Sequence, residues 1–116
     1  MTPTTVSTPE TLRVVQPADH IDIANAFEFK AELQAMLRAG TTRVVIDLAR
    51  VQYIDSAGLS ALMAVVHAFA GAGGAVRLCH PQPSVMKILQ LTRLDEYLPL
   101  AAGLDEARAQ LSPPRS

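Results

Sequence analysis

The chain has 116 residues, 49% of them hydrophobic, and ten basic against eleven acidic residues give a formal charge of -1. That length suits one domain, and that apolar content excludes a disordered chain. No basic excess exists to neutralise a run of phosphates, so no direct nucleic-acid partner is expected, and the lone Cys79 permits no internal disulfide and fits a reducing cytoplasm.

Residues 1–9 combine Thr, Ser and Pro without a basic start or an apolar run, so they read as a flexible tail rather than a secretory signal. Residues 112–116 read as a second flexible tail, which places the domain at 10–111. Leu12-Arg13-Val14-Val15 predicts a first strand, ended by Pro17, and Ile21 to Ile23 a short second one. Asn25 suits an N-cap. After it, Phe27, Phe29, Leu33, Met36 and Leu37 mark the apolar face of a helix that Gly40 stops. Val44-Val45-Ile46-Asp47-Leu48 is the pattern of a strand buried on both faces. A loop then leads to Asp55 and a helix from about Ser56 to Phe69.

No residue from Ser56 to Val76 is charged, which raises the question of a membrane span. The Ala and Gly content, the central His67 and the breaks at Gly71, Gly73 and Gly74 argue instead for a helix and a turn, so no membrane insertion is expected. Ala75 to Cys79 is the next strand. Pro83 to Leu91 is a short helix with proline in its first turn. Tyr97 to Leu100 reads as an edge strand weakened by Pro99. Leu104 to Leu111 is a last helix with Asp105 and Glu106 at its positive end. This alternation implies an α/β sandwich, a mixed or mostly parallel β-sheet of about four to five strands covered by about four helices.

The central helix has two faces. Leu59, Leu62, Met63, Val66 and Phe69 form a core stripe, while Ser56, Ser60, Ala64 and His67 form an uncharged face of small or weakly polar residues. Either that helix is more buried than usual, or the second face meets another protein.

Little in the chain points to catalysis. Asp47 and Asp55 flank a loop, but no base stands beside a nucleophile. Gly71-Ala72-Gly73-Gly74 lacks the Lys-Ser/Thr ending of a phosphate loop, and Ser56 lacks the Gly-x-Ser-x-Gly elbow of a hydrolase. His20, His67 and His80 have no metal-ligand spacing, and Cys79 reads as a small buried apolar residue. The expectation is a protein that is not an enzyme and has no cofactor.

The most informative stretch is Val44 to Leu62, Val-Val-Ile-Asp-Leu-Ala-Arg-Val-Gln-Tyr-Ile-Asp-Ser-Ala-Gly-Leu-Ser-Ala-Leu. Further pieces follow in order: Gly73-Gly74-Ala75-Val76-Arg77-Leu78, then Val85 to Asp95, then Leu104-Asp105-Glu106-Ala107. In that order and spacing the chain resembles the STAS family, the domain of bacterial anti-sigma factor antagonists. The resemblance implies that Ser56 is the serine phosphorylated by an anti-sigma factor serine kinase, which itself holds the ATP. A phosphatase would reverse the modification. It also implies a partner surface of Asp22, Asn25, Asp55, Ser56, Ala57 and Ser60, with Asp22 and Asn25 flanking the same edge as the helix start. The family's first loop often reads Gly-x-Leu-Asp. Here Pro17-Ala18-Asp19-His20-Ile21-Asp22 keeps the aspartate, as Asp22, and lacks the glycine. The resemblance also admits a STAS-like accessory subunit of a membrane transporter, or a scaffold in a stress-signalling assembly.

Physical chemistry adds to the reading of Ser56. Asp55 and Ser56 are both good N-cap types. A phosphate adds about -1.5 to -2 of charge, which the free N–H groups of a helix start tolerate and which Asp55 opposes. The expected outcome is a changed surface on an unchanged fold.

Overall fold

Val44, Val45 and Ile46 are β-branched and wholly buried, and they form the centre of β3 (Arg43–Asp47) in a computed structural model that describes residues 12–111. The two expected tails, and residues 10 and 11 of the expected domain, lie outside the described residues. β3 pairs in parallel with β1 (Leu12–Val15) on one side and β5 (Ala75–Cys79) on the other. A smaller parallel ladder joins β2 (Asp19–Ile21) to β4 (Val51–Ile54). With helices α1 (Ala26–Arg38), α2 (Ser56–Gly71), α3 (Pro83–Leu91) and α4 (Leu104–Leu111), this is the expected α/β sandwich, with five strands and four α-helices among the described residues. The ladders between these named strands are all parallel.

The two-residue period of a strand divides the core. Val44, Ile46, Val76 and Leu78 face one large cluster with Leu33 of α1 and Leu62, Val65 and Phe69 of α2. Val45 and Cys79 face the other way, against Ala107 and Leu111 of α4. Cys79 is fully buried there, as a small apolar residue would be. Burying one side chain such as Leu62 or Phe69 contributes about 1.5–3 kcal/mol. α3 packs against β4.

Several expectations need correction. The second strand lies two residues earlier than expected, because Asp22 and Ile23 turn back toward α2. The loop before Asp55 contains β4, whose pattern of two buried ends and two exposed middle residues gave little hydrophobic signal. Tyr97 to Leu100 is no strand. A short 3-10 turn occupies Leu94–Glu96, and only Leu100 bridges to Leu78. Pro99 has no N–H to give, but its carbonyl accepts from Leu78 N–H at 2.9 Å. On α2, Ala61 and Val65 join the buried face, while Met63 and Val66 are only partly buried. Phe27 is 76% exposed rather than core. It lies roughly 200° around the helix from Phe29, so the two cannot share a face.

The missing glycine of the first loop has a structural answer. Asp19 stands three residues before Asp22 and adopts φ 65°, in the left-handed region that favours glycine. Aspartate is among the few residues that enter that region at modest cost. Asp19 N–H donates to Arg50 O at 2.8 Å.

Candidate functional site

α2 begins where β4 ends, and Asp55 is its N-cap. Its Oδ1 accepts from Gly58 N–H at 2.9 Å. Its Oδ2 reaches across to Ile23 N–H at 3.0 Å, so one carboxylate caps the helix and anchors the β2–α1 turn. The Gly58 N–H is the main cause that holds the Asp55 carboxyl below its usual range; burial opposes it, and the Ile23 N–H adds to the lowering. Gly58 has to be glycine, because a Cβ there would fall onto the carbonyl oxygen of Ile21. The first turn of α2 therefore lies directly against the end of β2.

The turn itself is stitched by side chains. Asn25 stands at the N-cap position of α1, but its side chain makes no cap bond. It turns back instead: Oδ1 accepts from Asp22 N–H and Nδ2 donates to His20 O, both at 2.9 Å. Asp22 Oδ1 accepts from Ala24 N–H at 3.0 Å. The structure thus brings Asp22, Asn25 and Asp55 into one connected network at one edge of the molecule. Asp22 and Asn25 lie beside the helix start, as the resemblance implied.

Ser56 is the first residue of α2 and is exposed, as is Ser60 one turn on. Ala57 and Ser60 line a groove of about 280 Å³ between α1 and α2, together with Ile23, Phe27, Lys30 and Ala61. The uncharged face of α2 is therefore open at Ser56, Ser60 and His67, and half-buried at Ala64. Ile23 is 81% exposed, and it and Phe27 form an apolar rim to this groove that the sequence reading missed. The 100° helical step at Phe27 was the available signal. Nothing local marks Ile23, whose position depends on the Asp55 contact across the chain. Lys30 Nζ lies 6.0 Å from the Phe27 ring centre, and it is the cation among the lining residues.

The STAS domain family model matches residues 3–107, so the chain belongs to the STAS domain family. Among its relatives is BtrV of Bordetella bronchiseptica, provisionally named an anti-sigma factor antagonist. It is 34% identical over 89 residues, covering 77% of each chain. The crystal structure of a Thermotoga maritima protein with the same provisional name superposes with a TM-score of 0.81 at 25% identity, covering 88% of both chains. The antagonist SpoIIAA in its unphosphorylated form superposes with a TM-score of 0.72, covering 90% of this chain and 91% of its own; at 19% identity it shows a shared fold. No helix among the described residues is long and apolar enough to cross a membrane.

Proposed function

We propose that this STAS domain is an anti-sigma factor antagonist of the partner-switching kind. In its unmodified state it binds a cytoplasmic anti-sigma factor serine kinase through the edge formed by Asp22, Asn25, Asp55, Ser56, Ala57 and Ser60. That binding releases a sigma factor. The kinase, which holds the ATP, transfers a phosphate to Ser56 and so ends the binding. A separate phosphatase restores it. The chain acts as a regulator and performs no turnover of its own.

One observation carries this reading: Ser56 is exposed at the start of α2, directly after an N-cap whose carboxylate already satisfies Gly58 and Ile23. A phosphate placed there needs none of the fold's existing hydrogen bonds. It sits at the positive end of α2, next to Ala57, which lines the apolar groove. The names of the relatives supply the partner class.

The test is incubation with ATP and the anti-sigma factor kinase of the same cell, followed by site mapping. A single phosphate on Ser56 is expected. Ser56→Ala should accept none and still bind, and Ser56→Asp should bind weakly while melting as the wild type does. Stoichiometric phosphorylation of Ser56→Ala would place the switch elsewhere.

A further inference from the structure

Asp47 and Cys79 are register partners at the last positions of β3 and β5, at the carboxyl end of the parallel sheet. Ligands of parallel α/β sheets gather at that end. His80 follows with φ 58°, a left-handed conformation uncommon for a non-glycine residue. Its imidazole comes back onto the strand ends, with Nδ1 3.1 Å from Asp47 Oδ1. The donor atoms of Asp47, Cys79 and His80 all lie within 4.8 Å of one another. Histidine spacing along the chain could not reveal this, because Asp47 lies 33 positions before His80 and joins it only through the β3–β5 pairing.

Asp47 has His80 as its sole ion-pairing partner among the described residues. It is buried, yet among the described residues no Lys or Arg is paired with it. Its oxygens accept from Ala49 N–H at 3.0 Å and from Gln16 Nε2 at 3.1 Å, both neutral donors. Buried carboxylates are ordinarily paired with a cation or bound to a metal.

We propose that Asp47, Cys79 and His80 form a binding site for a divalent transition metal of the zinc class. Carboxylate oxygen, thiolate sulfur and imidazole nitrogen are all zinc donors, and three of them leave a fourth tetrahedral position for water. A sulfur and a nitrogen in the set disfavour magnesium and calcium, which take oxygen shells. The ion takes the place of the His80–Asp47 hydrogen bond, and Cys79 gives its proton to solvent as the metal–sulfur bond forms. Gln16 and Ala49 remain on Asp47 as outer partners that orient it. The His80 side chain is 42% exposed and forms the wall by which an ion enters. The site lies at the ends of β3 and β5, whereas Ser56 follows β4, so this inference does not rest on the partner switch.

The test is a titration of the reduced full chain with cobalt(II), followed by absorption, and then displacement with zinc. An equimolar end point with a thiolate-to-cobalt charge-transfer band is expected, and zinc should raise the melting midpoint. His80→Gln alters a half-exposed side chain and should keep the fold while weakening cobalt binding at least about tenfold. Gln16→Leu, which touches no metal, should weaken it by about tenfold as an outer partner does. Cys79→Ser should remove the charge-transfer band; if it unfolds, the other two variants still decide. No charge-transfer band at saturating cobalt, or a band unchanged in His80→Gln, would overturn the proposal.

Discussion

Asp47 closes β3 and Asp55 follows β4, so each stands at the carboxyl end of a parallel ladder. Both carboxyls are held below their ordinary range, but for different reasons. Burial pushes Asp47 upward, and the N–H of Ala49 together with His80 and Gln16 outweighs it. Asp55 is lowered first by the N–H of Gly58, which burial partly opposes, and then by that of Ile23. One end is sealed by side chains from distant parts of the chain. The other is fixed by backbone donors and keeps its outer face open. The difference teaches that a rigid helix start can be built without covering it, which is what a modifiable docking surface requires.

Two glycines sharpen this comparison most. A Cβ at Gly58 would fall onto Ile21 O, and one at Gly74 onto Thr42 O. Each alanine variant should lose about 3 kcal/mol in a denaturant titration, since backbone must move to admit the methyl. Only Gly58→Ala should also weaken partner binding, because only that junction positions the Asp22–Asp55 edge. Normal binding by folded Gly58→Ala would detach that junction from the function.

The aspartates come next. Asp47→Ala should cost about 2–3 kcal/mol, since it strands the Gln16 amide and the Ala49 N–H. Asp55→Ala should destabilise less but reduce partner affinity more, because it frees Ile23 and the turn. Both carboxyls have depressed folded values. Their stabilisation is therefore present above the unfolded value of about 3.9 and is lost as pH falls through the lower folded ones. Thermal melts should drop steeply below about pH 4, and Asp47→Asn should flatten that drop. An unchanged acid slope in Asp47→Asn would contradict the account.

The smallest effect belongs to Asp19→Gly. Relief of the left-handed backbone is offset by the freer unfolded chain, so stability should change by less than ~1 kcal/mol with binding unaltered. A loss well beyond that, in the same denaturant titration, would mean the Asp19 side chain has a part of its own.

The sequence made the strongly patterned elements legible. The buried run at Val44–Ile46 and the long uncharged helix after Asp55 carry their periods in their own residues. β2 and β4 do not, because each is short and half exposed and is defined by pairing with the other. In the candidate site, Ser56 and its cap were readable from residue type at a helix start. The Ile23–Asp55 contact was not, since 32 positions separate its partners. Asn25 shows the same limit: its residue type suggested a cap, and its actual bonds go to His20 and Asp22. The Asp47–His80 pair was invisible for a related reason, as only the β3–β5 register creates it.

The central claim is that phosphate on Ser56 alters a surface and leaves the fold intact. The most direct test compares stoichiometrically phosphorylated and unmodified chains by titration against the kinase, with thermal melts of both. An unmatched dianion at the contact should cost ~3 kcal/mol of binding, more than a hundredfold in affinity. The two melting midpoints should agree within about 2 °C. Equal affinity of the two forms, or a phosphorylated chain that no longer melts cooperatively, would contradict the account.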